Sequence, residues 1–177
     1  MQVVDLRLSG LKLVTPQIFS DVRGSFFESY RRSLYVAQGM APVFVQDNVV
    51  RSCKNSLRAL HYQLDPGQDK LITCLEGKIF DVAVDIRPGS ATFGQWEAVE
   101  LDDQTHQQLF IPIGFAHGYC TLSEAALVSY KVSAAYNPHF ERTIRWNDPH
   151  LKIHWPISHP ILSSRDATSP WFHEVFI

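Results

Sequence analysis

His61 and Lys70 carry the chemistry most worth reading in this sequence, because they stand in the spacing of a β-barrel metal site whose ligands have been changed. The metal-binding form of that spacing runs His-x-His, then Glu, then six residues and a Gly. Here His61-Tyr62-Gln63 lacks the second histidine, Lys70 stands at the Glu position, and Gly77 closes the run. A companion stretch, Pro112-Ile113-Gly114-Phe115-Ala116-His117, keeps its histidine in a Pro-x-Gly-x-x-His turn but has Thr121 where Asn is usual. An ammonium has three donors and no acceptor, so Lys70 repels a cation and suits an anion. The expectation is a pocket with no metal and no cofactor. In it an imidazole, which titrates near neutral pH, serves as base, and a lysine stabilises negative charge. Taken one at a time, His61 reads equally as an ordinary strand histidine. Lys70 reads equally as a solvated surface lysine, as most lysines are.

These residues need a frame. At 177 residues the chain has the length of one domain with a sizeable core. It is 45% hydrophobic and 19% charged, a globular composition. A net charge of -2 argues against a nucleic-acid binder, so an anionic ligand must be met by a local cluster of cations. Cys53, Cys74 and Cys120 are too few and too scattered for a disulfide framework or a zinc ribbon. Asp5 and Arg7 interrupt the start, so no signal peptide is read there, and no apolar run reaches membrane-spanning length. The expected setting is cytoplasmic.

The elements read mostly as short strands: 24–30, 44–50, 56–63, 70–76, 96–101, 107–111 and 126–136. Phe80, Val82, Val84 and Ile86 alternate with Asp81, Ala83, Asp85 and Arg87, the two-residue period of a strand with one face buried. Glu76-Gly77-Lys78 and Arg87-Pro88-Gly89-Ser90 read as turns. Helix is sparse, with one short candidate at 31–39 and another opening at Ser163. Many short strands between turns predict an all-β sandwich or barrel. The proline-rich stretch from about 149 to 177 is expected to lie over the barrel as a tail of a single domain covering 1–177. Asp81, Asp85 and Asp148 read as structural carboxylates.

Five stretches together carry a resemblance: Asp21-Val22-Arg23-Gly24-Ser25-Phe26-Phe27-Glu28, Leu57-Arg58-Ala59-Leu60-His61-Tyr62-Gln63, Phe80 to Arg87, Ile111 to Gly118, and Ile144-Arg145-Trp146-Asn147-Asp148-Pro149. In this order they resemble the dTDP-4-dehydrorhamnose 3,5-epimerase family of cupin-fold enzymes, over nearly the whole chain. The resemblance implies a cupin-type jelly roll, a homodimer with strand exchange near the N-terminus, and no metal. It also implies inversion of C3 and C5 of a dTDP-linked 4-keto-6-deoxy sugar. It assigns His61 as base with Asp166 as its partner, Lys70 to the enolate and Tyr130 as the acid. Arg23, Arg58, Gln46 and Arg165 fall to the diphosphate. Phe26, Glu28 and Tyr136 fall to the thymidine end, part of it supplied by the partner subunit, and His117 to the sugar pocket. Ala59 departs from an expected glycine and is expected to add a methyl near the pocket floor. Three alternatives stand beside this reading: an epimerase acting at one centre, a non-catalytic cupin that binds a sugar nucleotide, and, more distantly, a metal-dependent dioxygenase.

Overall fold

The computed structural model describes residues 1–40 and 43–176. Its first strands are β1 (Gln2–Asp5) and β2 (Lys12–Thr15), then the hairpin β3 (Ile18–Asp21) and β4 (Gly24–Phe27), and the short helix α1 (Arg32–Ala37). Next come β5 (Gln46–Cys53), β6 (Leu57–Gln63), β7 (Lys70–Glu76), β8 (Lys78–Asp85) and β9 (Trp96–Asp102). Then follow β10 (Gln108–Ile111), β11 (Phe115–Thr121), β12 (Ala125–Val132), β13 (Glu141–Thr143), α2 (Ser164–Ala167) and α3 (Phe172–Phe176).

Two antiparallel sheets face each other. One has the order β1-β2-β10-β7-β12-β5, the other β13-β6-β11-β8-β9, and the hairpin β3-β4 belongs to neither. Consecutive strands are repeatedly dealt to opposite sheets, the jelly-roll wiring that the family resemblance implies. Alternation then decides what meets in the middle. Ile72 and Cys74 of β7, Ile79 and Ala83 of β8, Phe115 and Tyr119 of β11, and Ala126 and Val128 of β12 form the core between the sheets. The opposite faces of the same strands are not left bare. Leu57, Leu60, Val82, Val84 and Ala116 on the outer side of the five-stranded sheet pack against Leu151, Ile153 and Phe172 of the C-terminal tail. On the other sheet, Val14, Leu71 and Phe110 are covered by Tyr35 of α1 and by Met40. With sheets covered on both faces, strands read as near-continuous apolar runs. That is why every residue of β11 is buried and why no two-residue period shows in its sequence.

The differences from the sequence reading lie mainly at element ends. The strand expected at 24–30 is only β4, and 126–136 ends with β12 at Val132. The companion stretch read as a turn continues into β11, so His117 sits on a strand. The short strands β1, β2, β3 and β13 were not anticipated. Ile177, the last residue of the expected tail, lies outside the described residues.

One irregularity matters more than the rest. Between β11 and β6, His117 pairs with His61 and Tyr119 pairs with Arg58, so the single residue Gly118 on one strand opposes two, Ala59 and Leu60, on the other. This is a β-bulge, and it lets Ala59 and Leu60 both face the outer core. A strictly alternating strand would send Arg58 and His61 to opposite faces; the bulge returns both to the same side. It also corrects the expectation for Ala59, which is fully buried against the tail-side core and away from the pocket. A Cβ on Gly118 would sit 2.5 Å from the Ala59 Cβ, so glycine is what lets β11 approach β6 here.

Candidate active site

At one end of the sandwich the two sheets part to leave a cavity of about 590 Å³. The five-stranded sheet lends it Arg58, His61, His117, Tyr119 and Glu141, and the six-stranded sheet lends Gln46, Asn48, Val50, Lys70, Tyr130 and Val132. Ser163, Arg165 and Asp166, at the start of α2, close one side, with Tyr136 at the rim. His61 and Tyr130 therefore project from facing walls.

His61 is held by both ring nitrogens. Nε2 is 2.9 Å from an Asp166 oxygen and Nδ1 is 3.1 Å from a Glu141 oxygen. Asp166 is buried, and its position is set by helix capping: the Asp166 N–H donates to the Ser163 hydroxyl at 3.1 Å. Burial works to lower the His61 pKa, but the bonds to Asp166 and Glu141 outweigh it and leave the imidazole above its ordinary value. Glu141 is in turn pulled down to about 2, chiefly by His61 and, against the effect of burial, by Arg165 and Tyr136. Arg165 Nη1 donates to Glu141, and the Tyr136 hydroxyl donates to the same carboxylate at 2.9 Å.

Lys70 opens β7 and points its ammonium into the cavity, where Nζ donates to the His61 carbonyl at 3.3 Å. Only 8% of the residue is exposed. Burial brings its pKa down to about 8, with Glu141 and Asp81 opposing the fall. Near neutral pH most of the population keeps its charge, inside a wall where water screens it poorly.

His117 also belongs to a carboxylate pair. Its Nε2 lies 2.9 and 3.0 Å from the two oxygens of Asp81, which is fully buried. Asp81 therefore does more than the structural reading allowed: it orients a cavity histidine. Burial lowers the His117 pKa despite Asp81, which favours the neutral ring. The Tyr130 pKa is raised by burial, with Arg58 opposing, so the phenol is a proton carrier at neutral pH. Asp85 and Asp148 have the structural character expected. Asp85 accepts from Arg87, Ser90 and Thr92, and Asp148 from the N–H groups of His150, Leu151 and Phe172.

The remaining candidates divide. Arg58 lies in the cavity with its Nε donating to the Ser52 hydroxyl at 3.2 Å. Gln46 sits at the rim, where its carbonyl accepts from the Tyr136 N–H at 2.8 Å. Arg23, Phe26 and Glu28 are not brought to this cavity within the chain. Arg23 pairs with Asp21 in the hairpin, Phe26 is 67% exposed, and Glu28 pairs with Arg31. Sequence reasoning missed Glu141, Tyr119, Asn48 and Ser163. Glu141, Arg142 and Thr143 are all polar and form a strand of only three residues, so no apolar alternation marks it in the sequence. Among the described residues, no group of three or more His, Cys, Asp or Glu side chains is arranged to hold a metal ion.

Known proteins resemble this chain in both sequence and fold. The model of a family described as dTDP-4-dehydrorhamnose 3,5-epimerase matches residues 5–174. The dTDP-4-dehydrorhamnose 3,5-epimerase of Neisseria gonorrhoeae is 46% identical over 97% of this chain; the chain spans 53% of that relative's length. A Legionella pneumophila dTDP-6-deoxy-D-glucose-3,5-epimerase, solved in complex with dTDP-4-keto-L-rhamnose, matches with a TM-score of 0.96 and 43% identity, covering 98% of this chain and 94% of that one. ChmJ of Streptomyces bikiniensis, a 3'-monoepimerase solved with dTDP-quinovose, matches with a TM-score of 0.88 and 36% identity, covering 94% and 85%.

Proposed function

The chain belongs to the dTDP-4-dehydrorhamnose 3,5-epimerase family, and from that premise we propose that it inverts C3 and C5 of a dTDP-linked 4-keto-6-deoxy sugar by proton exchange. The observation that carries the proposal is one cavity holding a carboxylate-seated His61, a buried Lys70 and, on the facing sheet, Tyr130.

The chemistry follows from what those groups can hold. A C–H next to the C4 ketone gives its proton to the neutral His61 ring, and the electron pair moves into the carbonyl to form an enolate. Asp166 fixes the ring's tautomer and favours the imidazolium as it forms. The Lys70 ammonium bonds the developing oxyanion; a preorganised donor of this kind is commonly worth about 10²–10³ in rate. Tyr130, on the opposite wall, returns a proton to the other face of the same carbon, and the phenolate and imidazolium then re-equilibrate with solvent. Because C3 and C5 flank one carbonyl, one enolate stabiliser serves both inversions. The proposed route uses no metal, and its support is the donor set, with Lys70 where a carboxylate ligand would stand. Arg58, Arg165 and Gln46 are assigned to the diphosphate, Tyr136 to the thymine ring, and His117 to the sugar.

We further propose that the chain acts as one cytoplasmic domain and as a homodimer. Cys53, Cys74 and Cys120 are all unpaired, which suits a reducing compartment. The dimer is supported by the β3-β4 hairpin, which leaves Phe19 54% and Phe26 67% exposed. Arg23, Phe26 and Glu28 are assigned to a partner subunit's cavity.

The experiment is incubation with dTDP-4-keto-6-deoxyglucose in D₂O with carbon-by-carbon analysis. Deuterium at C3 and C5 is expected. Deuterium at only one of the two carbons makes the protein a monoepimerase, and none at either carbon defeats the proposal. His61→Ala should lower exchange at both positions by ~10²–10⁴ while the melting transition survives.

A further inference from the structure

A base that must take a proton from carbon needs a free nitrogen, and His61 has none. Asp166 occupies Nε2 and Glu141 occupies Nδ1. One carboxylate has to leave before the ring can react, and the two are not held alike. The Asp166 side chain is 4% exposed and its residue is seated in the first turn of α2. The Glu141 side chain is 16% exposed, and the other two groups that bond it, Arg165 and Tyr136, belong to the cavity wall.

The geometry points to Glu141 as a positioning residue: it caps His61 Nδ1 in the empty enzyme and leaves it when the nucleotide arrives. The inference rests on the reading of His61 as the base. Its logic is competition for donors. Arg165 and Tyr136 hold the Glu141 carboxylate against the ring, and they are also the groups assigned to the diphosphate and the thymine. A bound nucleotide draws both away and sets phosphate charge near a second anion, which favours displacement of Glu141. The empty enzyme thus keeps its base paired at both nitrogens, and occupancy frees it.

The cap acts within a definite electrostatic surround. Asp166 faces the ring from α2, Glu141 from β13, Lys70 from β7, and His117 with Asp81 from β11 and β8. Tyr130 lines the cavity from β12 and Arg58 from β6 itself. Of these, Glu141 alone is both bonded to the ring and tied to the nucleotide-binding groups.

The test is Glu141→Gln, which keeps the shape and removes the charge. An NMR titration of the His61 ring in the substrate-free protein should show its pKa fall by about one unit or more. Solvent-exchange rates at C5 against pH should divide. The acid limb measured well below saturation reports the free enzyme and should move to lower pH, whereas the limb at saturation reports the complex and should stay. An unmoved NMR titration overturns the cap, and so does an equal shift of both limbs, because Glu141 would then remain on the ring during turnover. If His61→Ala retains full exchange, the base reading fails, and the NMR result still decides the cap by itself.

Discussion

His61 shows how little of a residue's role lies in the residue. Its type and its distance from Lys70 were legible from spacing; Asp166, 105 residues away, came as its partner only through the family resemblance, and Glu141, 80 residues away, was missed. Such contacts are products of topology, and no spacing rule reports them. Asp81 makes the same point from the other side: a strand position that reads as structural turns out to seat His117. Lys70 is the sharper test of the chemistry. Lys70→Met keeps the apolar length and removes the cation, so exchange at C3 and C5 should fall together by about 10²–10³. Loss at one carbon alone would mean that the two enolates are stabilised by different groups, and carbon-resolved deuterium analysis reads the difference directly.

At the scale of elements, the strand reading recovered β6, β7, β8 and β9 nearly whole, helped by the glycine and proline turns on either side of β8. It failed where a strand departs from period. The bulge in β6 places Arg58 and His61 on one wall, and it involves only apolar residues, so nothing in the local composition announces it. The turn after β8 offers a stability prediction. Asp85 is fully buried and accepts from Arg87, Ser90 and Thr92, while the Arg87 side chain keeps 32% of its surface in water. Removing a buried partner commonly costs about 3–5 kcal/mol. Because Arg87 can turn to solvent, Asp85→Ala should fall near the lower end, about 3 kcal/mol by chemical denaturation. Activity per folded molecule should be unchanged, since Asp85 lies outside the cavity lining.

The whole molecule has a pH signature that follows from its carboxylates. Burial alone would raise the Asp85 pKa, but its hydrogen bonds hold it well below the usual range, and Glu141 is brought down to about 2. A carboxyl depressed in the folded state stabilises fully above its unfolded pKa, about 4 for these groups, and loses that contribution as pH falls toward the folded value. His61 has the opposite sign: its pKa is raised, so its contribution is complete below about pH 6.5 and declines as pH rises through the folded value. Urea midpoints should therefore drop steeply below about pH 4, and Asp85→Asn should flatten that drop. The projecting hairpin gives a second whole-molecule test. If Arg23 and Phe26 complete a partner's cavity, His61→Ala protein mixed with Arg23→Ala protein should recover activity that neither parent has. Mixing without recovery would return the hairpin to a purely local role.

Chain order adds a consequence in time. The last strand, Glu141–Thr143, leaves the ribosome before Asp166 does. A nascent polypeptide can thus finish every strand of its sandwich while the imidazole at position 61 still lacks the carboxylate that fixes its tautomer. Competence to turn over substrate comes after architecture, and it is conferred by a segment that contributes no strand to either sheet.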